Sequence, residues 1–135
     1  MANAIFPKGR QNFLEADIDW LVDDIKVMLV KSGYTYDSAD EFVLDTTPAS
    51  NDNGRSANLG GKTSTDGVAD ASDASLTATA ATACNALILF KDTGSDATAL
   101  LIAYIDTATG LPFTPAAGGT VNIVWDNGAN KIFKL

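Results

Sequence analysis

Carboxylates are the commonest side chains here that could do chemistry. Fifteen aspartates and two glutamates face nine lysines and arginines, with no histidine and one cysteine. The densest group is Asp17/Asp19 with Asp23/Asp24. Two neighbouring carboxylates in unlike surroundings can divide acid and base roles, and several together suit a hard cation such as calcium. Their setting favours a plainer reading, a solvated strand face followed by a turn. Asp92-Thr93-Gly94-Ser95-Asp96 has the first half of a calcium loop without its closing glutamate. Gly60-Gly61-Lys62-Thr63 ends like a phosphate loop, yet Ser56 stands where that motif needs its first glycine. Ser64-Thr65-Asp66-Gly67 also breaks the helix that should follow. One cysteine and no histidine leave neither a zinc set nor a histidine-activated nucleophile. Cys84, beside Leu87-Ile88-Leu89-Phe90, reads as a small buried hydrophobe. We therefore expect no catalytic, metal or cofactor site and no enzymatic activity. Trp20, Tyr34, Tyr36, Tyr104 and Trp125 could form a stacking platform for a sugar or a protein partner, or could simply pack the core.

The elements that would position these groups read mainly as strands. Residues 13–20 alternate, with Phe13, Glu15, Asp17 and Asp19 on one side and Leu14, Ala16, Ile18 and Trp20 on the other, the period of a half-buried strand. A turn at 21–24 leads to a second strand over 25–31. Residues 37–44 are the helix candidate, with Asp37 or Ser38 as cap, acids in the first turn and Thr46-Thr47-Pro48 as its stop. Residues 48–54 read as a loop. Residues 56–63, 67–71 and 74–80 have the character of thin strands. Residues 84–90, the most hydrophobic run, predict a central strand that pairs with 97–106 across the 91–96 turn. A long loop over 107–119 precedes 121–135, where Asp126-Asn127-Gly128 signals a closing hairpin. Roughly eight strands at this spacing, with one short helix, predict an all-β fold: a single-domain antiparallel β-sandwich, jelly-roll-like. Residues 1–12 read as an extended N-terminal arm and 13–135 as the sandwich domain.

At 135 residues, 46% apolar and 19% charged, the chain is composed like one globular domain. Its net charge of -8 opposes nucleic-acid binding, which needs clustered lysine and arginine. The first residues lack the apolar stretch of a signal peptide, and no run has the length of a membrane span, so synthesis in a cytosol without ordinary secretion and without membrane contact is expected.

Several phrases resemble a known group. Lys91-Asp92-Thr93-Gly94, then Leu101-Ile102-Ala103-Tyr104-Ile105-Asp106-Thr107-Ala108-Thr109-Gly110-Leu111-Pro112, then the run Val124-Trp125-Asp126-Asn127-Gly128-Ala129-Asn130-Lys131-Ile132-Phe133-Lys134-Leu135 are similar to small structural proteins of tailed bacteriophages. Ile18-Asp19-Trp20, the 25–30 strand and Gly33-Tyr34-Thr35 fit the same group. Within it, the size and all-β reading resemble capsid cement, or decoration, proteins. The resemblance implies a virion protein on the capsid exterior, made in a bacterial cytoplasm. Its partners would be the major capsid protein and further copies of itself, as a homodimer or homotrimer. Ile5, Phe6, Lys8, Arg10 and Phe13 of the arm are the residues expected to reach a neighbour. The alternative is a tail or head-fibre module that binds a host surface glycan or protein, for which Trp20 and Trp125 would have to be exposed.

Overall fold

A computed structural model of the chain describes residues 3–45 and 49–135. It consists mostly of antiparallel strands with one short α-helix. Its centre is a five-stranded sheet in the order β1-β7-β6-β2-β3. These strands are β1 (Ala4–Ile5), β2 (Ile25–Lys31), β3 (Asp52–Arg55), β6 (Cys84–Lys91) and β7 (Leu100–Ile105). Two smaller ladders accompany it. One joins β4 (Val68–Ala69) to β9 (Phe133–Lys134), the other β5 (Ala74–Thr77) to β8 (Thr120–Ile123). The pairings β6–β7, β5–β8 and β4–β9 are nested, each enclosing the one before it in the chain.

β2 and β6 are apolar almost without interruption because both sides of the sheet are covered. Val27 and Leu29 pair with Leu89 and Leu87. With Ile25 they face a cluster of Ile18, Trp20, Leu59, Leu76, Ile123, Trp125 and Phe133 from the segments on that side. Met28, paired with Ile88, faces the opposite way with Val30 and Phe90. There Phe6, Tyr34, Val43 and Ala99 close over them.

The helix is α1 (Pro7–Leu14). Proline at its start suits the turn that needs no N–H, and its fixed φ begins the helix. Gly9 lets α1 lie directly on β7, since a Cβ there would be 2.8 Å from the Leu101 carbonyl oxygen. Residues 3–12 are therefore not the extended arm expected. Ala4 and Ile5 pair with Tyr104 and Ala103, the Phe6 N–H donates to the Ile102 carbonyl at 2.9 Å, and the Phe6 ring is fully enclosed. Burying that ring outweighs extension, because it contributes about 1.5–3 kcal/mol.

Other expectations are also corrected. Residues 13–20 form no strand: α1 runs to Leu14, Ala16 takes φ +63, and the Asn12 carbonyl accepts the N–H groups of Asp17 and Ile18. Residues 37–45 form turns and a bridge from Phe42 to Leu100, without a helix. Asp37 and Asp45 hold that conformation, Asp37 accepting from the Ala39 N–H and Asp45 from those of Glu41 and Phe42. Residues 46–48, expected to end a helix, lie outside the described residues. β3 arises where a loop was expected, and within residues 56–63 only Thr63 makes a bridge, to Asp70. β8 and β9 do not form a hairpin with each other. Trp125 turns toward the β4–β5 connection instead, its N–H donating to Asp73 at 3.0 Å and its indole N–H to the Ser72 carbonyl at 3.1 Å.

Candidate functional site

The aspartates work as local fasteners. Asp19 accepts the N–H groups of Leu21 and Val22 at 3.0 and 3.2 Å, and Asp23 accepts that of Asp19 at 2.7 Å. Lys91 crosses to the same turn, 3.0 Å from the Asp23 carboxylate and 2.6 Å from the Asp17 carbonyl. Lys62 donates to the Asp23 carbonyl, so the lysine of the Gly-Lys-Thr phrase holds a turn. Among the described residues, no group of three or more His, Cys, Asp or Glu is placed to hold a metal ion.

The 92–96 turn is tied to the central sheet. Lys26 donates to Asp92 at 2.6 Å and the Gly94 N–H reaches its other oxygen at 3.0 Å; the lysine first and the N–H second hold this carboxyl below the usual range. Arg55 takes Asp96 with both terminal nitrogens, at 2.8 and 3.0 Å, and Asp52 with Nε at 2.6 Å. Its guanidinium also lies 5.1 Å from the centre of the Phe90 ring.

Cys84 is fully buried, and burial pushes its thiol up, away from the thiolate a nucleophile needs. The aromatic set turns inward as well. Trp20 and Trp125 are 6% and 7% exposed, and the Trp20 indole donates to the Thr63 carbonyl at 2.9 Å. Tyr34 donates to the buried Asp40 at 2.8 Å. That bond, with burial as the larger cause, raises the phenol far above its ordinary range. Tyr34 and Tyr36 pack on Tyr104, and Tyr36 also meets Phe6. These rings offer no exposed indole platform, which removes the support the glycan alternative drew from Trp20 and Trp125.

Of the arm residues, Ile5, Phe6 and Phe13 turn wholly or partly inward, Phe13 against Phe133 with ring centres 6.1 Å apart. Lys8 is partly exposed and Arg10 exposed on α1. Sequence reasoning missed Leu14, also on α1, which is 89% exposed. Beside α1 lies a hollow of about 330 Å³ lined by Phe13, Ile18, Trp20 and Phe133, with Leu21 and Leu135 at 51% and 55% exposure among its lining residues. Only the folded arrangement brings Leu21 and Leu135 to one hollow, since they lie far apart in the chain.

The larger concavity is an open groove of about 1270 Å³. Leu29 and Leu87 of the central sheet line it, with Ile105 and Leu111 and with Val121 and Ile123 of β8. Among the described residues, Asp126 and Lys131 are its only charged lining side chains. β8 pairs with β5 alone among the described residues, so one edge of β8 is open. No protein-family model matches the chain, and neither does a curated protein or a solved structure.

Proposed function

We propose that this protein is a tailed-bacteriophage virion component that binds the outside of the assembled capsid, where major capsid subunits meet, and stabilises the shell. The carrying observation is a set of exposed leucines: Leu21 and Leu135 line the hollow, and Leu14 stands on α1 next in the chain to its lining residue Phe13. Single exposed leucines are ordinary, but two lining one largely apolar depression, with a third on the adjoining helix, suit a protein contact. Lys8 and Arg10 share the helix with Leu14, a basic element in a chain of net charge -8. The phrase-level resemblance to phage structural proteins supplies the identity of the partner.

The mechanism is linkage. A protein that binds only the expanded, assembled lattice stabilises that state by its binding free energy, and many modest contacts over a shell add through multivalency. We read the architecture as a β-sandwich, with the five-stranded sheet as one layer and the β4–β9 and β5–β8 ladders as the other. The nested order of β6–β7, β5–β8 and β4–β9 supports a jelly-roll-like connectivity.

Co-sedimentation with mature capsids stripped of the protein, beside unexpanded procapsids, tests the reading. Saturable binding to mature shells alone, at a fixed ratio to the major capsid protein, is expected. Leu14→Asp should weaken that binding roughly tenfold or more, about 1.4 kcal/mol, with an unchanged melting temperature. Absence of binding to either particle overturns the function, and full binding by Leu14→Asp overturns the surface.

A further inference from the structure

We propose that the open edge of β8 pairs with the same edge of a second copy, antiparallel across a twofold axis through Asn122. The phase of the β5–β8 ladder shows which groups are available. Ala78 donates to the Gly119 carbonyl at 2.9 Å, and Leu76 faces Val121 with no register shift across the four pairs of the ladder. Alternation in an antiparallel ladder then turns the N–H groups of Val121 and Ile123 toward β5 and those of Thr120 and Asn122 away from it. Trp125 keeps the same phase, its N–H donating to Asp73 on the β5 side. Carrying the alternation one residue past the strand turns Val124 outward, and its side chain is 73% exposed.

Natural edge strands are blunted by charge, proline, a bulge or brevity. β8 has neither charge nor proline, its one irregularity lies before it at Gly118 and Gly119, and residues 119–125 carry no charge at all. Of the other outer strands, β3 carries Asp52 and Arg55, β9 carries Lys134, β1 and β4 have two residues each, and β5 packs beside β3. Two chains of net charge -8 can approach edge to edge most readily where the edge is neutral. The edge is also its own complement. With Asn122 on the axis, Thr120 faces Val124 of the second copy, and the pairing stops short of Gly118, whose N–H turns to the Ala78 carbonyl, so no two carboxylates are brought opposite each other. Such pairing gives about six intermolecular hydrogen bonds and joins the two β5–β8 ladders into one four-stranded sheet. The second copy's Val121 and Ile123 then lie on the same side of that sheet as their counterparts, toward the neutral groove.

This inference specifies the homo-oligomer of the proposed function but does not depend on the capsid, so each can fail alone. Sedimentation velocity of the purified full chain across a concentration series tests it. A concentration-dependent doubling of mass is expected. Asn122→Pro removes an outward N–H while sparing the bonds to β5, and should return the protein to single-chain mass; Asn122→Ala should keep the dimer. If Asn122→Pro does not fold, the Asn122→Cys variant decides: mild oxidation should link two copies, whereas Ser75→Cys on the covered strand should not. A chain that stays monomeric throughout, a dimer untouched by Asn122→Pro, or no cross-link at position 122 overturns the proposal.

Discussion

Lys26 reaches Asp92 from β2 to the turn after β6, and this single contact gives the fold a defined acid sensitivity. The folded Asp92 carboxyl titrates below its ordinary value. A lowered value means the unfolded chain takes up its proton first as pH falls. The stabilisation is thus complete above the ordinary aspartate pKa of about 4 and disappears as pH drops through the lower folded value. Lys26→Met should be less stable than wild type in urea at neutral pH, and the gap should narrow once Asp92 is protonated in both the folded and the unfolded chain. Equal gaps at neutral and strongly acidic pH would refute the assignment. The burial of Cys84 was legible in its apolar neighbours. The fastening role of Asp19 was legible as turn chemistry, but that of Asp23 only in part, since its partners Lys62 and Lys91 lie far along the chain.

Elements were legible where apolar runs dictate them. β2 occupies the expected residues, and β6 extends the expected run by one lysine, because a strand covered on both faces must be apolar throughout. α1 was hidden because Pro7 and Gly9 read as breakers, although proline suits a helix start and the glycine admits the β7 backbone. The expected helix at 37–44 failed for the opposite reason, its aspartates bonding their own backbone and leaving a turn. β3 was hidden by Gly54, whose φ of +126 suits glycine and whose added Cβ would fall 2.3 Å from the Thr77 carbonyl oxygen. Gly9→Ala should push α1 off β7 and destabilise the protein by about 1–3 kcal/mol, read as a lowered melting temperature. Removal of residues 2–10 should unfold the domain, because Phe6 leaves with them.

At the scale of the whole molecule, charge and surface act against each other. Each copy carries -8, so any pairing of copies works against net repulsion. Added salt screens exposed charges, with a Debye length of about 30 Å at 0.01 M shrinking to about 8 Å at 0.15 M. The dimer fraction should therefore rise between these ionic strengths, in contrast to an association built on opposite charges; a fall would identify ion pairs at the contact. The leucine hollow and the groove were illegible in the sequence because each is assembled from stretches that no local pattern connects. The nested pairings have a further consequence, for the order in which the chain folds. Joining β6 to β7 first brings β5 and β8 close, and joining those brings β4 and β9 close. Each step thus shortens the free loop that the next must close, and loop-closure entropy grows with that length. These three ladders can zip from the centre outward, and the last of them to close is the one that positions Phe133 against Trp20.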